Sequence, residues 1–98
     1  IISKETRDNA IKFQNASIGN DPVLGIPIRF TLGYELNTKH FHMGPNPEAF
    51  GHWGAGGSFG FADIENKISF GYTPNLMHDK FELGPRGEKI VNLIYNCF

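Results

Sequence analysis

Ninety-eight residues allow one domain at most, and a chain of this length buries only about 60–65% of its unfolded surface. Nine basic residues against ten acidic ones leave a formal charge of −1, without the basic excess that nucleic acid or an anionic membrane surface demands. The single Cys97 excludes an internal disulfide, and no apolar run reaches membrane-spanning length. The chain opens at Ile1-Ile2 with neither an initiator Met nor a signal-peptide pattern, and reads as a piece of something longer.

Residues 3–13 suit a short helix, with Ser3 as N-cap and Glu5 in the first turn, where negative charge is favoured. Asn15 to Asp21 collects Asn, Ser, Gly and Asp and marks a loop. Pro22 and Pro27 bracket an extended Val23-Leu24-Gly25-Ile26. Residues 28–36 read as a strand, with Phe30, Leu32 and Tyr34 on one face and Arg29, Thr31 and Glu35 among those opposite. Residues 37–48 read as a polar loop. Within it His40-Phe41-His42 has the spacing to aim two imidazoles together, but no third ligand sits nearby, so no metal is expected.

The next stretch organises the chain. An apolar run through Phe50 and Trp53 meets the glycines Gly54, Gly56 and Gly57, giving a strand over 49–57. Phe59 and Phe61, then Phe70 and Tyr72, alternate with small residues, so 58–63 and 67–73 form an antiparallel hairpin around the polar turn Asp63 to Lys67. The glycine cluster is no phosphate loop: it lacks the Gly-Lys-Ser/Thr ending, and a strand follows where a helix is required. A second loop runs from Thr73 to Pro85, where Asn75 reads by spacing as a strand terminator and His78 as a solvated partner of Asp79. Residues 86–97 close the chain as a helix, with Ile90, Val91, Leu93, Ile94 and Cys97 at helical spacing. The fold class is therefore α+β, an antiparallel sheet backed by a C-terminal helix.

His52 alone reads as a half-buried strand histidine with one hydrogen-bond partner. Its context changes that. His52-Trp53-Gly54, the small residues after it, the hairpin and the closing helix resemble the C-terminal part of the serine β-lactamase-like hydrolases, a family of class C β-lactamases, D-alanyl-D-alanine peptidases and esterases. His52-Trp53-Gly54 stands where many members carry Lys-Thr-Gly. The resemblance implies a partial β-lactamase/transpeptidase-like fold, with His52 in the proton network around a nucleophilic serine and the backbone N–H of Ala55, after Gly54, as an oxyanion-hole donor. It places Trp53 and Asn75 against a small acyl substrate and implies no cofactor. The resemblance implies hydrolysis of an ester, amide or lactam through an acyl-serine; Trp53 replaces the usual hydroxyl that holds a substrate carboxylate, which tilts the expectation towards an ester or other acyl substrate.

The family's reactive centre is absent from this sequence. None of Ser3, Ser17, Ser58 and Ser69 has Lys three residues on, and Tyr34, Tyr72 and Tyr95 lack the Asn two residues on that the resemblance calls for. The expectation is one wall of an active site, inactive alone, whose uncovered sheet edge favours self-association. A non-catalytic truncated relative and a small β-rich binding module remain the alternatives.

Overall fold

A computed structural model describes residues 1–14, 19–79 and 82–97. Helix α1, Lys4–Ala10, is capped by the Ser3 hydroxyl, which accepts from the Thr6 N–H at 3.0 Å. It buries no residue, and it ends three residues before the expected boundary. The strands are β1 (Glu35–Leu36), β2 (Phe50–Gly54), β3 (Ser58–Asp63) and β4 (Ile68–Tyr72), and α2 (Gly84–Tyr95) closes the chain. The four strands form one antiparallel sheet in the order β1-β2-β3-β4, so the class expected from the sequence is the one observed. The loop expected from Asn15 lies in part outside the described residues.

The segment read as one strand over 28–36 differs most. It doubles back on itself: the Thr31 N–H donates to the Tyr34 carbonyl at 2.9 Å, Phe30 bridges Glu35, and the Leu36 N–H donates to Arg29 at 2.7 Å. Gly33, at φ 99°, provides the left-handed step, and the Thr31 hydroxyl donates to the Tyr34 carbonyl. Phe30, Leu32 and Tyr34 therefore share no face, and Leu32 is 63% exposed. The strand expected over 49–57 likewise stops at Gly54. Ala55, Gly56 and Gly57 form the turn into β3, with the Gly57 N–H donating to the Gly54 carbonyl at 3.1 Å and Gly56 at φ 89°. That bond and that dihedral are the signature of a type II turn with Ala55 at its second position.

Opposed residues in an antiparallel ladder share a face. One face carries Trp53, Phe59 and Tyr72 in register, then Phe61 and Phe70. Against it pack α2, through Val91 and Ile94, and two residues of the supposed polar loop, Phe41 and Met43, both wholly buried. Helix α2 begins two residues earlier than expected because Pro85 fits its first turn rather than blocking it. Leu93 lies on its solvent side, and Cys97, past its end, is exposed.

At the far end of this face sits the buried carboxylate of Asp63. It accepts from Asn46 Nδ2 at 2.7 Å, from the Asn66 N–H at 3.1 Å, from Asn66 Nδ2 at 2.8 Å and from the Tyr95 hydroxyl at 2.7 Å. Burial alone would raise its pKa, but these bonds from Asn66, Tyr95 and Asn46 outweigh burial and hold it below the ordinary carboxylate range. Burial and the Asp63 charge push the Tyr95 hydroxyl up.

Because the folded value of Asp63 is depressed, its stabilisation is present above the unfolded pKa and is lost as pH falls through the folded one. Asp63→Asn should cost at least about 1.5–3 kcal/mol at neutral pH, the worth of a hydrogen bond to a charged group. The gap from wild type should narrow in acid. Denaturant titration at both pH values checks it, and equal stabilities at neutral pH would refute the role.

Candidate active site

Strand β1 begins at Glu35, opposite Gly51. Beyond that point no described strand lies alongside His52, Trp53 and Gly54 on the β1 side. Gly51 itself admits no side chain, since a Cβ there would collide with the Gly60 carbonyl and the Phe61 backbone. His52 and Trp53 leave the strand to opposite faces, as neighbours in a strand must. His52 lies in a cross-strand row with Gly60 and Gly71, which present bare backbone on that face. A shallow depression of ≈ 330 Å³ there is lined by His52, Gly54, Ser58, Gly60 and Thr73, among others.

The two side chains converge on Glu35. The Trp53 indole N–H donates to Glu35 Oε2 at 3.1 Å. His52 Nδ1 lies 2.7 Å from the Trp53 carbonyl, and its Nε2 lies 3.8 Å from Glu35 Oε1. Half of the His52 side chain is exposed, whereas Glu35 is 2% exposed and its Oε1 accepts no hydrogen bond. Burial raises the Glu35 pKa; the His52 charge and the Trp53 indole pull it down, and Asp21 adds to the rise. The sequence pattern puts Glu35 on the strand face opposite Phe30, Leu32 and Tyr34. Only the reversal at Gly33 turns it inward, and no residue pattern announced that.

Ala55 is exposed at the turn, where the Gly57 N–H makes the closing bond. The Ala55 N–H makes no hydrogen bond to any described residue. Gly54 faces Ser58, whose hydroxyl a Cβ on Gly54 would meet at 2.6 Å. The structure thus sets His52, Trp53, Gly54 and Ala55 in one run along β2 and its turn. Asn75 lies apart, exposed in a bend after β4, with no hydrogen bond to that run.

His78 is no solvated partner of Asp79. It is half-buried, its Nε2 contacts the Leu83 carbonyl at 3.2 Å, and its N–H donates to Gly56 at 3.2 Å. Its ring fills the space that side chains on Gly57 and Gly84 would need, both residues having positive φ. His78 therefore pins the turn carrying Ala55 to the start of α2. His42 in turn meets Asn92 of α2 at 3.1 Å.

This α+β arrangement is similar to a solved structure, the crystal structure of a family VIII carboxylesterase, with a TM-score of 0.89 and 36% sequence identity. The match covers 99% of this chain and 26% of that one, so the chain spans about a quarter of the carboxylesterase's length. No protein-family model and no curated protein matches the chain.

Removing the indole donor tests the environment of Glu35. Its folded pKa is raised, so its contribution to stability is full below the unfolded value and is lost as pH rises through the folded value. Trp53→Phe should deepen that loss, costing about 1–3 kcal/mol at neutral pH for the orphaned acceptor and less in acid, where the carboxyl is protonated. Thermal unfolding across pH reads the difference. A cost independent of pH would contradict the assignment.

Proposed function

We propose that this chain is the C-terminal part of a serine carboxylic ester hydrolase of the β-lactamase-like type, acting through an acyl-serine. The observation that carries this reading is the match to the carboxylesterase at 36% identity over nearly the whole chain. In this reading β2 borders the active site, with the exposed His52 ring in the proton network and Gly54 leaving room for the acyl group. The Ala55 N–H stabilises the oxygen that becomes negative in the transition state. Trp53 donates its indole proton to a buried glutamate, which favours an ester over a substrate whose carboxylate a hydroxyl at this position would hold. Asn75 would contact the substrate only through the approach of further chain, being exposed here.

The nucleophile and its acid–base partners lie outside this chain, since no Ser-x-x-Lys occurs in it. A nucleophile and its base act as a unit, and an oxyanion donor does not replace them. The 98-residue chain should therefore show no hydrolysis of nitrophenyl esters above a heat-denatured control. A polypeptide joining it to a Ser-x-x-Lys segment should turn them over.

In that polypeptide Ala55→Pro should lower kcat by roughly a hundred- to a thousandfold and move KM less. Proline suits the second position of a type II turn and follows the extended Gly54, so the substitution deletes the N–H and keeps the turn. An unchanged kcat with an unchanged Tm would remove the oxyanion role. Turnover by the purified 98 residues alone would remove the wall-without-nucleophile reading.

The same reading leaves β4 as a sheet edge. Among the described residues no strand pairs with its outer side, where Phe70 and Tyr72 remain half-buried. Such an edge is a template for another strand. Sedimentation at rising concentration should show the isolated chain self-associating, and a monomer throughout would count against it.

A further inference from the structure

Glu35, His52 and Trp53 make a closed geometric problem whose solution fixes where protons sit. A backbone carbonyl only accepts hydrogen bonds, so the 2.7 Å contact between His52 Nδ1 and the Trp53 carbonyl requires the proton on Nδ1. In the neutral ring Nε2 then carries the lone pair. That nitrogen is the one 3.8 Å from Glu35 Oε1. On the other side Oε2 is occupied by the indole N–H, and Oε1 accepts nothing.

We propose that Glu35 is the positioning residue for His52, and that the two are coupled across 3.8 Å so that one proton resides either on Oε1 or on Nε2. Two states balance. With the proton on Oε1 the acid is neutral and faces the Nε2 lone pair. With it on Nε2 a carboxylate faces an imidazolium, and the pair's net charge is unchanged. Losing the shared proton would leave a carboxylate at 2% exposure with only the indole to stabilise it, which burial penalises. The surrounding charges agree. Among the described residues Asp21 is the other acidic group acting on Glu35, and it disfavours ionisation. The nearby Arg29 guanidinium is turned to the Pro47 carbonyl and the Glu48 carboxylate.

For the hydrolase reading, on which the functional consequence rests, the pair lets a half-exposed imidazole at the active-site wall take or give a proton while its counter-charge stays buried beside it. The bare Gly60 and Gly71 row leaves the ring's outward face open.

The test uses the 98-residue chain, labelled with carbon-13 and nitrogen-15, and reads the Glu35 carboxyl carbon against pH. His52→Phe keeps a ring at this exposed position and removes both nitrogens. The Glu35 midpoint should rise in His52→Phe by about one pH unit or more, the effect of deleting an opposite charge at this range. A midpoint equal to wild type overturns the proposal and leaves Glu35 as a buried acceptor for the indole. Should His52→Phe fail to fold, the nitrogen-15 spectrum of wild-type His52 decides. A ring protonated on Nδ1, alone or together with Nε2, is the expected result, and a neutral ring protonated on Nε2 only overturns the pairing. The readout needs no turnover. A coupled pair in an inactive parent would leave the positioning intact and remove the hydrolase reading, and an active parent with an uncoupled Glu35 would do the opposite.

Discussion

A carboxylate taken out of water must be matched by donors, and Asp63 draws its donors from three separate parts of the chain. Asn46 comes from the loop before β2, Asn66 from the turn between β3 and β4, and Tyr95 from the last turn of α2. The bond to Asn66 shapes the turn, whose Lys67 takes a left-handed φ of 55°. The bond to Tyr95 sets its ring over Gly44 and stacks it on Phe61 at 6.4 Å. Loop, hairpin and helix are thereby held in one relation. That relation keeps Phe41 and Met43 in the core and β2 in register with β3.

The second buried carboxylate behaves in the opposite way. Asp63 has four donors and is held ionised; Glu35 has one hydrogen-bond donor, an imidazole 3.8 Å away and an acidic neighbour, and is pushed towards its neutral form. One group fastens the fold. The other sits beside the strand that the functional reading makes an active-site wall, where a proton with two resting places is useful. At the other end of the hairpin from Asp63 lies the β2–β3 turn, fixed from outside by His78 and closed by Gly57, so that the Ala55 N–H is left pointing out of the turn's own hydrogen bonding.

Sequence patterns revealed the hairpin and the closing helix, because aromatic alternation and helical spacing are local signals; the run His52 to Ala55 stood out only through the family resemblance. They failed where a single residue overrode the pattern. Gly33 converts the alternation of Phe30, Leu32 and Tyr34 into a reversal, and Glu35, expected on the face opposite them, is buried. The loop over 37–48 looked polar by count, yet Phe41 and Met43 plug the core, because two apolar side chains suffice when Asn37 and Asn46 satisfy the backbone around them. His78 was misplaced for a related reason: the space it fills is created by Gly57 and Gly84, which are remote from it in pattern and close to it only in the fold.

The central claim is that β2 and its turn line an acyl-transfer site. A phosphonate ester that traps an active serine, bound to the polypeptide joining this chain to a Ser-x-x-Lys segment, reads it most directly in a crystal structure. The account predicts an adduct on that serine, its phosphonyl oxygen about 2.7–3.1 Å from the Ala55 nitrogen and the His52 ring beside it. A failure to form the adduct, or an adduct whose oxygen lies away from Ala55, would contradict it.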